Sequence, residues 1–424
     1  MINILRLFVL VLALSTAGAV NAQTRVQGVE CGVEREVQAG ALTERTYNRL
    51  TRIYEEIGEE KYAEAYAGLQ ELLESTRRDD YEKATIYQAM AYIRAQQERY
   101  QEAIDLFKRA IELDRMPNNQ HFDMVLQVAQ LYYSIERYRE ALDELDLWFC
   151  MTPDDQKNKV NVWVMKASIH AQIEEFRQAL EAIDRAIALA DEPREQWYQL
   201  KLGMHFELKE WNNAVGVLKI LINMNPTRKD YWIQLSSVYS ELEQQRDSMA
   251  TLALAHRRGL LDRQSEYLQL ASLQQEFDAP RKAAEVLQEG LEQGIVESTR
   301  RNWEMTAGAW YEARELDRAL DAYEQAGAQS MDGKIDLQRA YILVDLERWD
   351  EAKDALSRAL ELGGLRESQV GNAYLLLGNA HASSGNLDAA LDAFNEALKY
   401  GRVERAAREW INHIQQERSR QAGS

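Results

Sequence analysis

One spacing constrains this chain more than any other property. A bulky residue, two intervening positions, an Ala and a second bulky residue four places on recur along the sequence. The series runs Tyr62/Ala65/Leu69, Tyr100/Ala103/Phe107, Tyr138/Ala141/Leu145, Phe176/Ala179/Ile183 and Trp211/Ala214/Leu218. It weakens where Ser248 stands in place of Ala, with Leu252 and Ala255 still in register. Ala283/Leu287, Leu316/Ala319/Tyr323, Trp349/Ala352/Leu356 and Leu387/Ala390/Phe394 complete it. Successive small residues lie 38, 38, 38, 35, 34, 35, 36, 33 and 38 positions apart. A near-constant period of this length means stacked copies of one supersecondary unit, not two or three globular domains.

The unit is clearest in Gly371–Gly401. Tyr374, Leu377 and His381 fall on one helical face, with Gly378 where a second helix crosses closely. Gly385 suits a left-handed helix end and Asn386 an N-cap, after which Ala390, Phe394 and Ala397 form the second stripe. The same large-then-small spacing marks earlier first helices at Tyr87/Met90/Ala91, Val125/Val128/Ala129/Tyr132, Trp163/Ala167, Trp232/Leu235/Ser236/Tyr239, Tyr267/Leu270/Ala271 and Trp303/Ala307/Trp310. The fifth hairpin is one residue out of register at Trp197, Tyr198 and Gly203. The first, Leu42–Ser75, lacks a small residue in its first helix, as suits a terminal unit. Pro117, Pro153, Pro193 and Pro226 fall after second helices and Pro280 between two helices, so none interrupts a helix, where it would cost about 3 kcal/mol. The expected organisation is an N-terminal extension over 23–41, ten hairpins over 42–400, and a capping helix with a short tail over 401–424. The tail is expected to fray from Arg418.

Antiparallel helix pairs of this length with small residues at their crossings resemble the tetratricopeptide repeat (TPR) family. The resemblance covers residues 42–400. It implies an all-α, TPR-like α-solenoid, a right-handed superhelix of about ten hairpins whose groove is lined by first helices and receives a peptide or protein partner.

Residues 1–22 read as a secretory signal peptide: Arg6, the apolar run Leu7–Leu14, and Val20-Asn21-Ala22 before a cleavage site. Of 50 Lys and Arg only Arg6 lies in that segment, which leaves 49 against 69 acids and a formal charge of −20. Such a surface repels nucleic acid and anionic lipid. No later apolar stretch approaches the ~20 residues of a membrane helix. The expectation is an exported, periplasmic protein. Two readings stand for its cysteines: a Cys31–Cys150 disulfide tying the N-terminal extension to the third hairpin, or two separate thiols with Cys150 buried near a helix end.

Nothing in the sequence assembles a catalytic, cofactor or metal site. His121, His170, His205, His256, His381 and His413 are scattered, with no HExxH pair, phosphate loop, nucleophile elbow or CxxC. The expected activity is therefore binding, with no cofactor. By periodicity, the groove-facing residues are Gln88, Tyr92, Gln130, Tyr133, Ser168, Phe206, Ser237, Ser272, Tyr311, Tyr341, Asn372 and Asn379. Asn372 and Asn379 match asparagine-type positions of the co-chaperone carboxylate clamp, but Leu375 stands where that clamp has Lys. Cys31 and the segments Leu131-Tyr-Tyr, Glu195-Gln-Trp-Tyr and Tyr231-Trp-Ile-Gln-Leu make the layout similar to periplasmic TPR proteins that accompany TonB-type systems. That resemblance implies energy-transducer subunits as partners. A scaffold for secretion, pilus or polysaccharide-export assembly, or a carbohydrate-binding solenoid, are the alternatives.

Overall fold

The structure, a computed structural model, describes residues 25–422 apart from 33, 34, 38, 39, 77 and 78. The signal segment and its cleavage point lie outside the described residues. The described chain forms two compact units, divided between Lys209 and Glu210.

The first unit opens with a two-residue ribbon, β1 (Arg25–Val26) and β2 (Val29–Glu30), paired antiparallel. Helices follow in pairs: α1 (Glu44–Gly58) with α2 (Tyr62–Ser75), α3 (Asp80–Gln96) with α4 (Tyr100–Glu112), α5 (Asn118–Ser134) with α6 (Tyr138–Met151), and α7 (Val160–Gln172) with α8 (Phe176–Leu189). Helix α9 (Glu195–Glu207) ends the unit. The second unit begins with α10 (Trp211–Met224). Its hairpins are α11 (Lys229–Glu241) with α12 (Gln245–Arg257), α13 (Gln264–Glu276) with α14 (Pro280–Glu292), α15 (Arg300–Glu312) with α16 (Leu316–Gly327), α17 (Lys334–Asp345) with α18 (Trp349–Leu362), and α19 (Glu367–Ser383) with α20 (Leu387–Ala397). Helix α21 (Glu404–Ala422) covers the last pair. It runs past the point where fraying is expected, and Arg418 reaches back to Asp388 at 2.6 Å.

The recurring small residues do what their spacing implies. Ala65, Ala103, Ala141, Ala179, Ala214, Ala283, Ala319, Ala352 and Ala390 are all buried, as is Ser248. Ser248 remains in the register by sharing hydrogen bonds with Ser236 at 2.8 Å and Ser240 at 3.0 Å. The bulky partners Leu69, Phe107, Leu145, Ile183, Leu218, Leu287, Leu356 and Phe394 are sealed from solvent. Each such side chain contributes about 1.5–3 kcal/mol of burial. At the last pair the crossing depends on glycine: a Cβ on Gly378 would stand 2.4 Å from Phe394 Cε1.

One turn recurs along the chain. Five places before each small residue a single residue adopts positive φ: Glu60, Glu98, Glu136, Glu174, Lys209, Glu243, Asp278, Arg314, Glu347 and Gly385. Within the hairpins the next N–H then reaches back around the helix end, as Arg99 N–H does to Arg94 C=O at 2.9 Å and Asn386 N–H to His381 C=O at 2.9 Å. Only the last of these turns uses glycine.

The N-terminal segment is tied to the first unit at several points. Cys31 and Cys150 form a disulfide with Cα atoms 4.5 Å apart. Arg35 donates to Asp114 Oδ1 at 2.6 Å, Met116 C=O at 2.8 Å and Asn118 Oδ1 at 3.1 Å. Thr43 N–H donates to the buried Glu82 at 2.7 Å. Gly40 lies flat on Tyr81, where a Cβ would come within 2.2 Å of the ring.

Candidate functional site

In the first unit the first helices α1, α3 and α5 present one face together. The recess on it, about 650 Å³, is lined by Leu42, Tyr47, Tyr54, Glu55, Tyr81 and Gln88, with Leu50, Thr51, Thr85 and Gln120 completing the wall. Helix α1 supplies Tyr47, Thr51 and Tyr54 because the adjacent stripe, Thr46, Leu50 and Ile53, is buried against the core, with Leu50 at the edge of the recess. Thr51 and Thr85 turn their hydroxyls back to the helix backbone, at 3.0 Å from Tyr47 C=O and 3.0 Å from Tyr81 C=O. That leaves aromatic rings, the amides of Gln88 and Gln120 and one carboxylate, Glu55, as the groups that can contact a ligand.

Two groove-facing residues expected from periodicity belong here. Gln88 lines the recess, and Tyr92, one turn along α3, is hydrogen-bonded to it. Tyr47, Tyr54 and Tyr92 are 60%, 49% and 41% exposed. Tyr92 is held by an edge contact to Phe107, ring centroids 5.2 Å apart. Burial, and then the neighbouring Tyr92, push the Tyr54 phenol above its ordinary pKa. Burial, followed by Asp123, does the same for Tyr92. Both rings therefore stay neutral under ordinary conditions.

The remaining expected residues of this unit spread along later helices. Gln130 is exposed on α5, while Tyr133 leans on Tyr138 of its own hairpin at 6.0 Å. Ser168 spends its hydroxyl on Val164 C=O at 3.0 Å, and Phe206 lies half-buried on α9.

In the second unit Ser237, Ser272 and Tyr311 are exposed, and Tyr341 is half-buried against its core. Asn372 and Asn379 are half-buried on α19, and Asn379 Oδ1 has no partner among the described residues. Glu241, Glu276, Glu312 and Asp345 end four successive first helices, all exposed.

Periodicity alone did not single out Tyr47, Tyr54, Tyr81 or Glu55. The first hairpin lacks the small marker residue, so its face had no register. The i, i+4, i+7 set of Tyr47, Thr51 and Tyr54 was the available signal.

The histidines are not gathered into a site. His121, His170 and His205 are buried, and His170 pairs with Glu175 at 2.8 Å. Among the described residues no group of three or more His, Cys, Asp or Glu could hold a metal ion. No helix among them is long and apolar enough to cross a membrane.

Residues 84–115 match a family model described as Tetratricopeptide repeat, and residues 333–401 match a second model of the same description. The chain carries tetratricopeptide repeats, and its fold is an all-α, TPR-like solenoid. Residues 120–210 and 234–293 match the model of Anaphase-promoting complex subunit 5. No curated protein matches the chain. Among solved structures, the TPR array is similar to a tetratricopeptide repeat protein from Parabacteroides merdae ATCC 43184. That match has 10% identity, covers 68% of this chain and 94% of the other, and has a TM-score of 0.36. YrrB, a TPR protein with an unusual peptide-binding site, aligns at 17% identity over 44% of this chain and 89% of its own, TM-score 0.34. The APC/C hetero-tetramer Cut9–Hcn1 aligns at 11% identity over 88% and 96%, TM-score 0.32.

Proposed function

We propose that this chain is a non-enzymatic protein–protein interaction scaffold that receives an extended segment of a partner on its first-helix face. The observation that carries the reading is the tyrosine-lined recess of α1, α3 and α5. Tyr47, Tyr54 and Tyr92 are exposed together on this face, whereas in the second unit Tyr267 and Trp310 are buried in the stack and Tyr311 is exposed singly. Large apolar side chains held in the open on rigid helices mark an interaction surface. A face already formed by regular helices loses little entropy on binding.

The reading extends to an exported, periplasmic protein. The apolar run Leu7–Leu14 with small residues before Gln23 supports it, as does a Cys31–Cys150 bond, which persists in oxidising compartments. There the proposed partners are energy-transducer subunits of a TonB-type system, on the strength of the segments Leu131-Tyr-Tyr, Glu195-Gln-Trp-Tyr and Tyr231-Trp-Ile-Gln-Leu. A photo-crosslinking residue at Gln88 in the full chain, expressed in its native envelope, tests both parts by mass spectrometry. Capture from Gln88 but not from the exposed second-helix position Asp105 is expected, with transducer subunits among the products. Equal capture from both positions would refute the face. Secretion or polysaccharide-export proteins in place of transducers would overturn the pathway and leave the scaffold standing.

A further inference from the structure

We propose that the recess takes the cationic head of an arginine or lysine, so that the partner segment is a basic peptide. This rests on the scaffold reading and adds the chemistry that is recognised.

The first support is unfilled ring faces. A cation over an aromatic face is attracted by the ring quadrupole. The chain uses this contact repeatedly on itself: Arg94 lies 3.5 Å over Tyr66, Arg318 4.6 Å over Trp310 and Arg137 4.8 Å over Tyr132. Among the described residues none of Tyr47, Tyr54 and Tyr92 has such a cation, whereas the Tyr81 ring is already covered by Gly40. The second is Glu55, which lines the same recess, is exposed, and forms no ion pair among the described residues. A partner that covered it without supplying a positive charge would strip water from a lone carboxylate, which is costly.

The basic residues of α1, Arg45, Arg49 and Arg52, line a different cleft with Glu71, Leu72 and Ser75, where Arg49 reaches Glu71 at 3.5 Å. Lys159 is paired with Asp123 at 3.3 Å. The sequence as a whole carries 69 acids against 50 Lys and Arg, so long-range attraction also favours a positively charged partner. Tyrosine faces and one carboxylate suit a guanidinium best, because its plane stacks on a ring while its edge donates to Glu55.

Fluorescence anisotropy of the full-length protein with fluorescein-labelled Gly/Ser peptides carrying arginine, lysine or citrulline tests this. Citrulline keeps the shape of arginine and removes its charge. The arginine peptide should bind at least about fivefold tighter than the citrulline peptide, consistent with the strength of an exposed cation–π contact plus an ion pair. Tyr54→Leu, which keeps apolar bulk and removes the π face, should weaken arginine binding about fivefold, and Tyr54→Phe should restore it. Glu55→Gln should weaken it and flatten its salt dependence. Equal binding of arginine and citrulline peptides would overturn the inference. So would arginine binding indifferent to both Tyr54→Leu and Glu55→Gln, the mark of diffuse attraction to an acidic surface. Capture of a partner at Gln88 without peptide discrimination sinks the cation reading alone. Failure of capture at Gln88 sinks the scaffold reading.

Discussion

Two glycines in helix interiors should respond to the same substitution with opposite sign. Gly378 of α19 faces the ring of Phe394: an added Cβ would stand 2.4, 2.5 and 2.8 Å from Cε1, Cδ1 and Cζ. Carbon contacts are comfortable at about 3.5–4 Å, so the ring must retreat by about 1 Å. It cannot do so freely, because Phe394 is fully buried and stacked on Trp410 with centroids 5.8 Å apart. Overpacking of this kind costs about 1–3 kcal/mol, and the gain from replacing a helical glycine offsets about 0.5–1 kcal/mol. Gly378→Ala should therefore destabilise by about 1–2 kcal/mol. Gly308 of α15 has no atom within 4 Å of the same virtual Cβ. Gly308→Ala should stabilise by about 0.5–1 kcal/mol through the helix term alone. Repeat arrays open locally, so a single urea midpoint mixes regions. Hydrogen exchange by mass spectrometry, resolved to α19–α20 and α15–α16, reads each site separately. Protection that moves in the same direction in both variants would refute the reasoning.

Acid should destabilise the first unit through His121. Burial and then the Arg35 guanidinium hold its imidazole at about 4, below the ordinary 6.5. The folded chain refuses a proton that the unfolded chain accepts, so stability present above pH 6.5 is lost as pH falls towards about 4. His121→Gln should lose about 2 kcal/mol less than wild type between pH 7 and pH 4.5 in urea unfolding; equal losses would exclude the buried imidazole as the cause. At the turn after α3, Glu98 is exposed with φ of 58°. Glu98→Gly relieves the left-handed strain and should raise the urea midpoint by the equivalent of about 0.5–1 kcal/mol, whereas a fall would mean the Glu side chain supports the turn.

The repeat register was legible in the sequence because close helix crossings tolerate only small residues, and that requirement recurs at a fixed interval. Periodicity therefore gave the hairpins, the buried set and the covering helix without any knowledge of long-range contacts. The turns were legible only at Gly385. At the other nine positions residues such as Glu60, Glu98 and Glu136 adopt positive φ although their types disfavour it. The stacking of two packed helices over-determines the backbone there, and local preference yields. The N-terminal ribbon escaped sequence reading for a related reason: two-residue strands carry no alternation, and this one is tied down by Arg35, Gly32 and the Cys31–Cys150 bond. Periodicity could assign Gln88 and Tyr92 to a face but not gather them with Tyr54, Glu55 and Tyr81. Those residues meet because α1 and α3 both pack on α2, and which exposed side chains share a recess is decided by that packing.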